Sequence, residues 1–139
     1  GADALYIGAS AFGARKKAGN SLEDIKEIVD YAHKFLVKVY VTVNTLIYDN
    51  EVESFIKYID FLHTISVDAV IMQDNGLIEL TRKLIPNLEI HVSTQAHNHN
   101  EPAIKHYKDN WDLEMLLFKS GKTYKSIKEE QNKDEYWIK

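Results

Sequence analysis

The segment 38–45, with the sequence KVYVTVNT, most constrains the fold because it alternates valine with polar or aromatic residues. A period of two is typical of a β-strand, whose successive side chains lie on opposite faces of a sheet. One face would carry Val39, Val41 and Val43, and the other Tyr40, Thr42 and Asn44. The valine row suits packing against a layer of helices, whereas the other row suits a more polar interior.

Segments 3–8, 68–74 and 88–95 are also predicted strands, and each of the four strands precedes a stretch with helical spacing of apolar residues. Such alternation predicts an α/β fold with parallel strands joined by right-handed crossovers. No Gly-x-Gly-x-x-Gly follows a strand, so a dinucleotide-binding sheet has no support. A TIM barrel needs eight units and roughly 250 residues. We therefore predict a partial TIM-like barrel of about four strand–helix units over residues 1–109, followed by a divergent charged tail over 110–139.

Capping signals predict where the helices begin. Ser21 with Asp24 has the spacing of a capping box. Asp49 or Asn50 can cap the second helix, and Asn50 with Glu53 also has the spacing of a capping box. The pair Asn75-Gly76 predicts a tight exit from the third strand. The first helix is predicted to bury one apolar face: Leu22, Ile25, Ile28, Val29, Ala32 and Phe35.

Composition excludes several classes of protein. The net charge of −4 gives no basic surplus that would indicate a nucleic-acid partner, although a local patch can hide in a balanced total. The chain has no cysteine, so it has no thiolate nucleophile and no cysteine ligand for an iron–sulfur cluster. No cofactor is evident, and no apolar run is long enough to cross a membrane. We expect a cytoplasmic protein, because no signal peptide is present at the start of the sequence.

The ligand site of parallel α/β folds lies beyond the carboxyl ends of the strands, so we examined polar residues there. Arg15 follows the first strand and either binds an anionic group or pairs with a surface acid. Asn44 and Gln95 either bind a polar ligand or satisfy loop backbone. Asp74 is either an acid, base or metal ligand, or the N-cap of the next helix. Catalytic residues stay unassigned.

Histidines near the fourth strand have the ligand chemistry of a zinc or iron site. They are His91 inside the strand, and His97 and His99 beyond its end. The alternatives are that His91 is a packed, hydrogen-bonded residue and that the loop histidines face solvent. The spacing is not diagnostic, so we assign no metal site.

Several ordered strings resemble peptidase family U-32, the collagenase-like proteases. They lie at 1–8, 12–15, 39–46, 68–78 and 91–95. The resemblance implies a TIM-like barrel and a peptidase, some members being collagen-degrading. Other members hydroxylate RNA bases or quinone precursors without oxygen, using iron–sulfur clusters held by cysteines downstream of the matched region.

Our first expectation is therefore a fragment of a U-32 peptidase that is inactive alone. The alternatives are a fragment of an RNA or quinone-precursor hydroxylase of the same family, or a non-catalytic binding module or decayed gene product. Peptide or RNA would be the substrate of the full-length protein. The likeness stops near Asn110, which suggests a break in the reading frame there, and unpaired sheet edges predict self-association.

Overall fold

A computed structural model of the chain describes residues 1–13, 19–96 and 100–111. The strands are β1 (Ala4–Gly8), β2 (Lys38–Val43), β3 (Ala69–Met72) and β4 (Ile90–Val92). The helices are α1 (Leu22–His33), α2 (Val52–Thr64), α3 (Asn75–Leu84) and α4 (Glu101–Trp111). Two short 3-10 turns precede α2 and follow β4, at Asp49–Glu51 and Thr94–Ala96. From residue 112 onward, the predicted tail lies outside the described residues.

The four strands form one parallel sheet whose spatial order, β1-β2-β3-β4, follows the chain order. The predicted α/β fold with parallel strand–helix units is confirmed. A doubly wound sheet reverses its strand order at a switch point, whereas a barrel adds each strand next to the previous one. The described strands follow the second pattern.

The two faces of β2 differ as the alternation predicts. Val39, Val41 and Val43 are buried in the core that the sheet shares with the helices. Tyr40 and Thr42 lie half-buried on the opposite face. The helices contribute buried apolar side chains to the same core, among them Ile25, Val29, Phe55, Ile59, Leu62 and Ile78.

Helix α1 begins at the predicted capping box. The Asp24 amide donates to Ser21 Oγ at 3.1 Å, and the Ser21 amide donates to the Asp24 carboxylate at 3.0 Å. The prediction was wrong for two members of the apolar face, because Leu22 and Phe35 are exposed. Phe35 lies past the end of the helix at His33, so helical spacing no longer places it on the buried face.

Three other local predictions were wrong. Neither Asp49 nor Asn50 caps α2, because both lie in a 3-10 turn in which the Tyr48 amide donates to the Glu51 carboxylate at 3.0 Å. Asn75 does not form a turn, because it is the first residue of α3. Strand β4 is also shorter than predicted, and the chain turns into a 3-10 helix directly after Ser93.

Within the described ranges, no helix has the length and apolar character needed to cross a membrane.

Candidate functional site

Polar residues gather at the carboxyl edge of the sheet, where parallel α/β folds bind their ligands. Asn44 and Thr45 follow β2, Gln73 and Asp74 follow β3, and Ser93 follows β4. Gln73 Nε2 donates to the Asn44 carbonyl oxygen at 2.6 Å, which joins the ends of two neighbouring strands. We define these five residues, together with Gln95, as the polar edge.

The loop between β1 and α1 is closed at its base beside the polar edge. The amide and the side chain of Asn20 both donate to the Gly8 carbonyl, at 3.0 and 2.8 Å. The Ser10 amide donates to the Asn20 carbonyl at 3.1 Å. Thr45 Oγ1 donates to the Phe12 carbonyl at 3.0 Å, which ties this loop to the end of β2. Sequence reasoning missed Asn20 and Thr45, because only the folded chain brings their partners close.

Phe12 anchors the same loop in the core. Its φ of 55° lies in the left-handed region, which is unfavourable for a residue with a bulky side chain. Its ring contacts those of Phe55 and Tyr58, with centroids 5.9 and 5.5 Å away. Such strain persists when surrounding contacts fix the conformation, as the core contacts and the Thr45 hydrogen bond do here.

We expect that Gly19→Ala destabilises the protein by about 1–3 kcal/mol, because a Cβ atom would overpack this loop base. The added atom would lie 2.3 Å from the Ser10 backbone nitrogen, so the backbone must separate. Gly76→Ala is the matched control, since its Cβ atom would meet the Asp74 side chain at 3.4 Å, an ordinary contact. Because Gly76 is helical, alanine there is expected to add up to about 1 kcal/mol. Urea unfolding followed by circular dichroism measures both, and equal stability of the Gly19 variant and the parent would contradict this account of the loop.

The predicted site residues differ in what the structure shows of them. Asp74 is the N-cap of α3, with its carboxylate accepting from the Leu77 amide at 3.2 Å. Gln95 has an exposed side chain, while Asn44 is half-buried. Arg15 lies outside the described residues. Asp74 therefore acts as a helix cap, the second of its two predicted roles. Ligand binding stays a prediction for Arg15, Asn44, Asp74 and Gln95.

Helix α4 is held against the same edge by Tyr107, whose hydroxyl donates to Asn75 Oδ1 at 2.8 Å. Tyr107 is buried, and burial raises the pKa of its hydroxyl. The phenol therefore stays protonated as a donor. This contact joins residues 32 positions apart, so the sequence alone gave no indication of it.

His91 lies on the sheet face opposite the helices and is only 1% exposed. Its Nε2 lies 2.6 Å from Glu89 Oε1, and its ring centroid lies 4.8 Å from that of Tyr40. Because a carboxylate only accepts, Nε2 carries the proton in this pair. Burial, and secondarily the negative charge of Glu89, raises the pKa of Tyr40. These contacts fit the packed, hydrogen-bonded alternative for His91.

Metal binding has little support from the described part of the chain. No group of three or more His, Asp or Glu residues there is arranged to hold a metal ion. His97 and His99 lie outside the described residues. The absence of cysteine means that this chain supplies no thiolate for an iron–sulfur cluster. The polar edge instead offers amide and hydroxyl groups, which donate and accept hydrogen bonds to a polar ligand.

The described chain is a parallel α/β protein, and the polar edge lies at the carboxyl ends of its strands. The model of peptidase family U32 matches residues 1–112, and the chain belongs to that family. The resemblance noted in the sequence is thereby confirmed.

Three relatives illustrate the range of the family. The chain is 50% identical over 96 residues to the 23S rRNA 5-hydroxycytidine C2501 synthase of Escherichia coli, covering 69% of this chain and 14% of the relative. It is 36% identical over 110 residues to tRNA hydroxylation protein P1 of Bacillus subtilis, covering 78% and 26%. It is 30% identical over 118 residues to a collagenase of Porphyromonas gingivalis, covering 84% and 28%. The chain thus spans less than a third of the length of each, and no solved structure matches it.

Proposed function

We propose that this chain is part of an RNA hydroxylation protein and forms one wall of its site for an RNA base. The observation that carries the proposal is the 50% identity over 96 residues to the Escherichia coli 23S rRNA 5-hydroxycytidine synthase. The similarity to a tRNA hydroxylation protein, at 36% identity, supports the same chemistry. The collagenase has the lowest identity of the three relatives, at 30%. The hydroxylase alternative is therefore favoured over our first expectation of a peptidase.

The polar edge suits this role. Proteins read unstacked RNA bases through hydrogen bonds to base edges that carry both donors and acceptors. Asn44 and Gln95 each carry an amide with both functions, and Asp74 adds a carboxylate acceptor. Asn44 is held by the Gln73 contact to its carbonyl, so its backbone is fixed before a base arrives. An RNA substrate also fits a cytoplasmic protein.

The chemistry of hydroxylation needs groups that this chain does not contain. A cluster of the kind that the resemblance implies would take its cysteines from outside this chain. The contribution of the described residues is therefore binding and orientation of the base.

Deleting the gene that carries this chain tests the proposal. We expect loss of one hydroxylated nucleoside from ribosomal or transfer RNA, measured by mass spectrometry of digested RNA. Complementation with the full-length gene should restore it, because the modification depends on the protein. Unchanged nucleosides in both RNA fractions would contradict the proposal.

A peptidase is the second candidate, because the Porphyromonas gingivalis relative is named a collagenase. The purified full-length protein would then cleave gelatin or collagen peptides. Cleavage with unchanged RNA nucleosides would favour this candidate. The chain offers no cysteine nucleophile, so such a peptidase would not use a thiol from this region.

A further inference from the structure

The loop between β2 and α2 presents two large apolar side chains next to the polar edge. Leu46 directly follows Thr45 of the polar edge, and Tyr48 lies two positions further along the chain. Leu46 is 67% exposed and Tyr48 is 76% exposed. Strand β2 pairs with a described strand on each side, so this loop does not follow an outer strand of the sheet. The two side chains are thus exposed at the carboxyl end of a central strand, where parallel α/β folds bind ligands.

The backbone of this loop is held in place although the two side chains are exposed. Thr45 Oγ1 donates to the Phe12 carbonyl at 3.0 Å, and Ile47 packs against the core. The Tyr48 amide donates to the Glu51 carboxylate at 3.0 Å, and the Tyr48 carbonyl accepts from the Glu51 amide at 2.8 Å. A ligand that contacts Tyr48 therefore does not have to order the loop first, which lowers the entropic cost of binding.

The chemistry of the loop suits the face of an unstacked base. Proteins stack splayed-out RNA bases on tyrosine and other aromatic rings, because every base has a π-face. A tyrosine ring has only two side-chain torsions to immobilise, so stacking on it costs little entropy. Asp49 is exposed directly after Tyr48, and Glu51 lies two positions further on. Their negative charge disfavours a phosphate group at this loop, which leaves the base as the part of a nucleotide that fits.

We propose that Tyr48 stacks on a nucleotide that flanks the base bound at the polar edge, with Leu46 packed beside it. This inference rests on the proposed RNA function and extends it. The polar edge would bind the modified base through hydrogen bonds, while Tyr48 holds a neighbouring nucleotide out of the RNA stack. The substrate would accordingly be an unpaired stretch of RNA, such as a loop or a bulge.

Binding of the full-length protein to a synthetic RNA hairpin tests the contact. The hairpin carries the unmodified form of the nucleoside that disappears from cellular RNA when the gene is deleted. We expect Tyr48→Ala to raise the dissociation constant roughly five- to hundredfold, the effect of losing one stacked base. Tyr48→Phe keeps the ring and should bind the hairpin as the parent does.

Two matched variants control for the loss of exposed apolar surface. Tyr31→Ala removes a tyrosine that is 66% exposed on α1, and Leu84→Ala removes a leucine that is 54% exposed at the end of α3. Neither residue follows the carboxyl end of a strand, so neither variant should change the dissociation constant, whereas Leu46→Ala should raise it. Thermal unfolding should be nearly the same for all these variants, because each replaces an exposed residue.

Salt dependence separates base stacking from a contact with phosphate. The slope of the logarithm of the binding constant against the logarithm of salt concentration reports how many phosphates the protein neutralises. Tyr48→Ala should lower the affinity by the same factor at every salt concentration, which leaves this slope unchanged. A shallower slope would assign Tyr48 to a phosphate contact and overturn the stacking role.

Failure of this inference differs from failure of the proposed function. If deletion of the gene leaves every nucleoside unchanged, the RNA function is wrong and the stacking role is wrong with it. If deletion removes a hydroxylated nucleoside but Tyr48→Ala binds the hairpin as the parent does, only the stacking role is wrong. Equal weakening by Tyr48→Phe, or by the two control variants, would also overturn the stacking role.

Discussion

Replacing Phe55 by alanine is expected to remove about 3–5 kcal/mol from the free energy of unfolding, the usual range for a buried aromatic residue. Phe55 is 1% exposed and is the largest fully buried side chain of the core. Its ring also contacts Phe12, which anchors the loop between β1 and α1. The variant should therefore lose both core packing and the fixed geometry of this loop. Urea unfolding followed by circular dichroism measures the loss.

Tyr48→Ala is the matched control for Phe55→Ala. Tyr48 lies in the turn just before α2, and it is 76% exposed. Surface substitutions of this kind usually change stability by less than about 0.5 kcal/mol. If Phe55→Ala and Tyr48→Ala lower the free energy of unfolding by the same amount, the packing role of Phe55 is wrong.

Replacing Asp68 by alanine is expected to cost about 1–3 kcal/mol, because it leaves a buried donor without its acceptor. The Asp68 carboxylate accepts from the Val39 amide at 2.7 Å and lies 2.8 Å from His33 Nε2. Asp68 thus joins the end of α1 to the starts of β2 and β3. Val39 is fully buried, so water does not readily replace the lost acceptor. Urea unfolding measures this change as well.

Asp68→Asn separates the two contacts of Asp68. An amide oxygen still accepts from the Val39 amide, so asparagine should retain most of the stability. Asp60→Ala controls for the loss of an exposed helical acid on α2. If Asp68→Asn lowers the free energy of unfolding as much as Asp68→Ala does, then the acceptor for the Val39 amide is not the main contribution. The negative charge of Asp68 would then be the group that stabilises the fold.

Phe12 and Leu36, two of the three left-handed non-glycine residues among those the structure describes, have different explanations. Phe12 is left-handed because its ring and carbonyl are both held, by Phe55 and Tyr58 and by Thr45. Leu36 is left-handed with an exposed side chain, and no such contacts of its side chain accompany it. The first anchors a loop beside the polar edge. The second closes the end of α1, because the Leu36 amide donates to the His33 carbonyl and the Val37 amide to the Ala32 carbonyl, both at 3.1 Å.

Local sequence signals predicted the elements that depend on local contacts. The valine alternation of β2 and the Ser21–Asp24 capping box were confirmed, because each rests on residues within a few positions of one another. The cap of α2 was wrong because Tyr48 and Glu51 form a competing turn that uses the same kind of hydrogen bond. The sequence left two interpretations of Asp74 open, a group that binds a ligand or the N-cap of the next helix. Only the structure showed that it caps α3.

The sequence by itself determined the α/β class, the number of strand–helix units and the separation of apolar from polar faces, since hydrophobic periodicity encodes these directly. Only the tertiary structure decided which polar groups meet. The pairs Thr45–Phe12, Tyr107–Asn75 and Asp68–Val39 join residues about thirty positions apart. It also decided that Phe35 and Leu36 lie exposed just after the end of α1. The physical reason is that burial and hydrogen bonding between distant residues depend on how strands and helices pack, which no local pattern of side chains specifies.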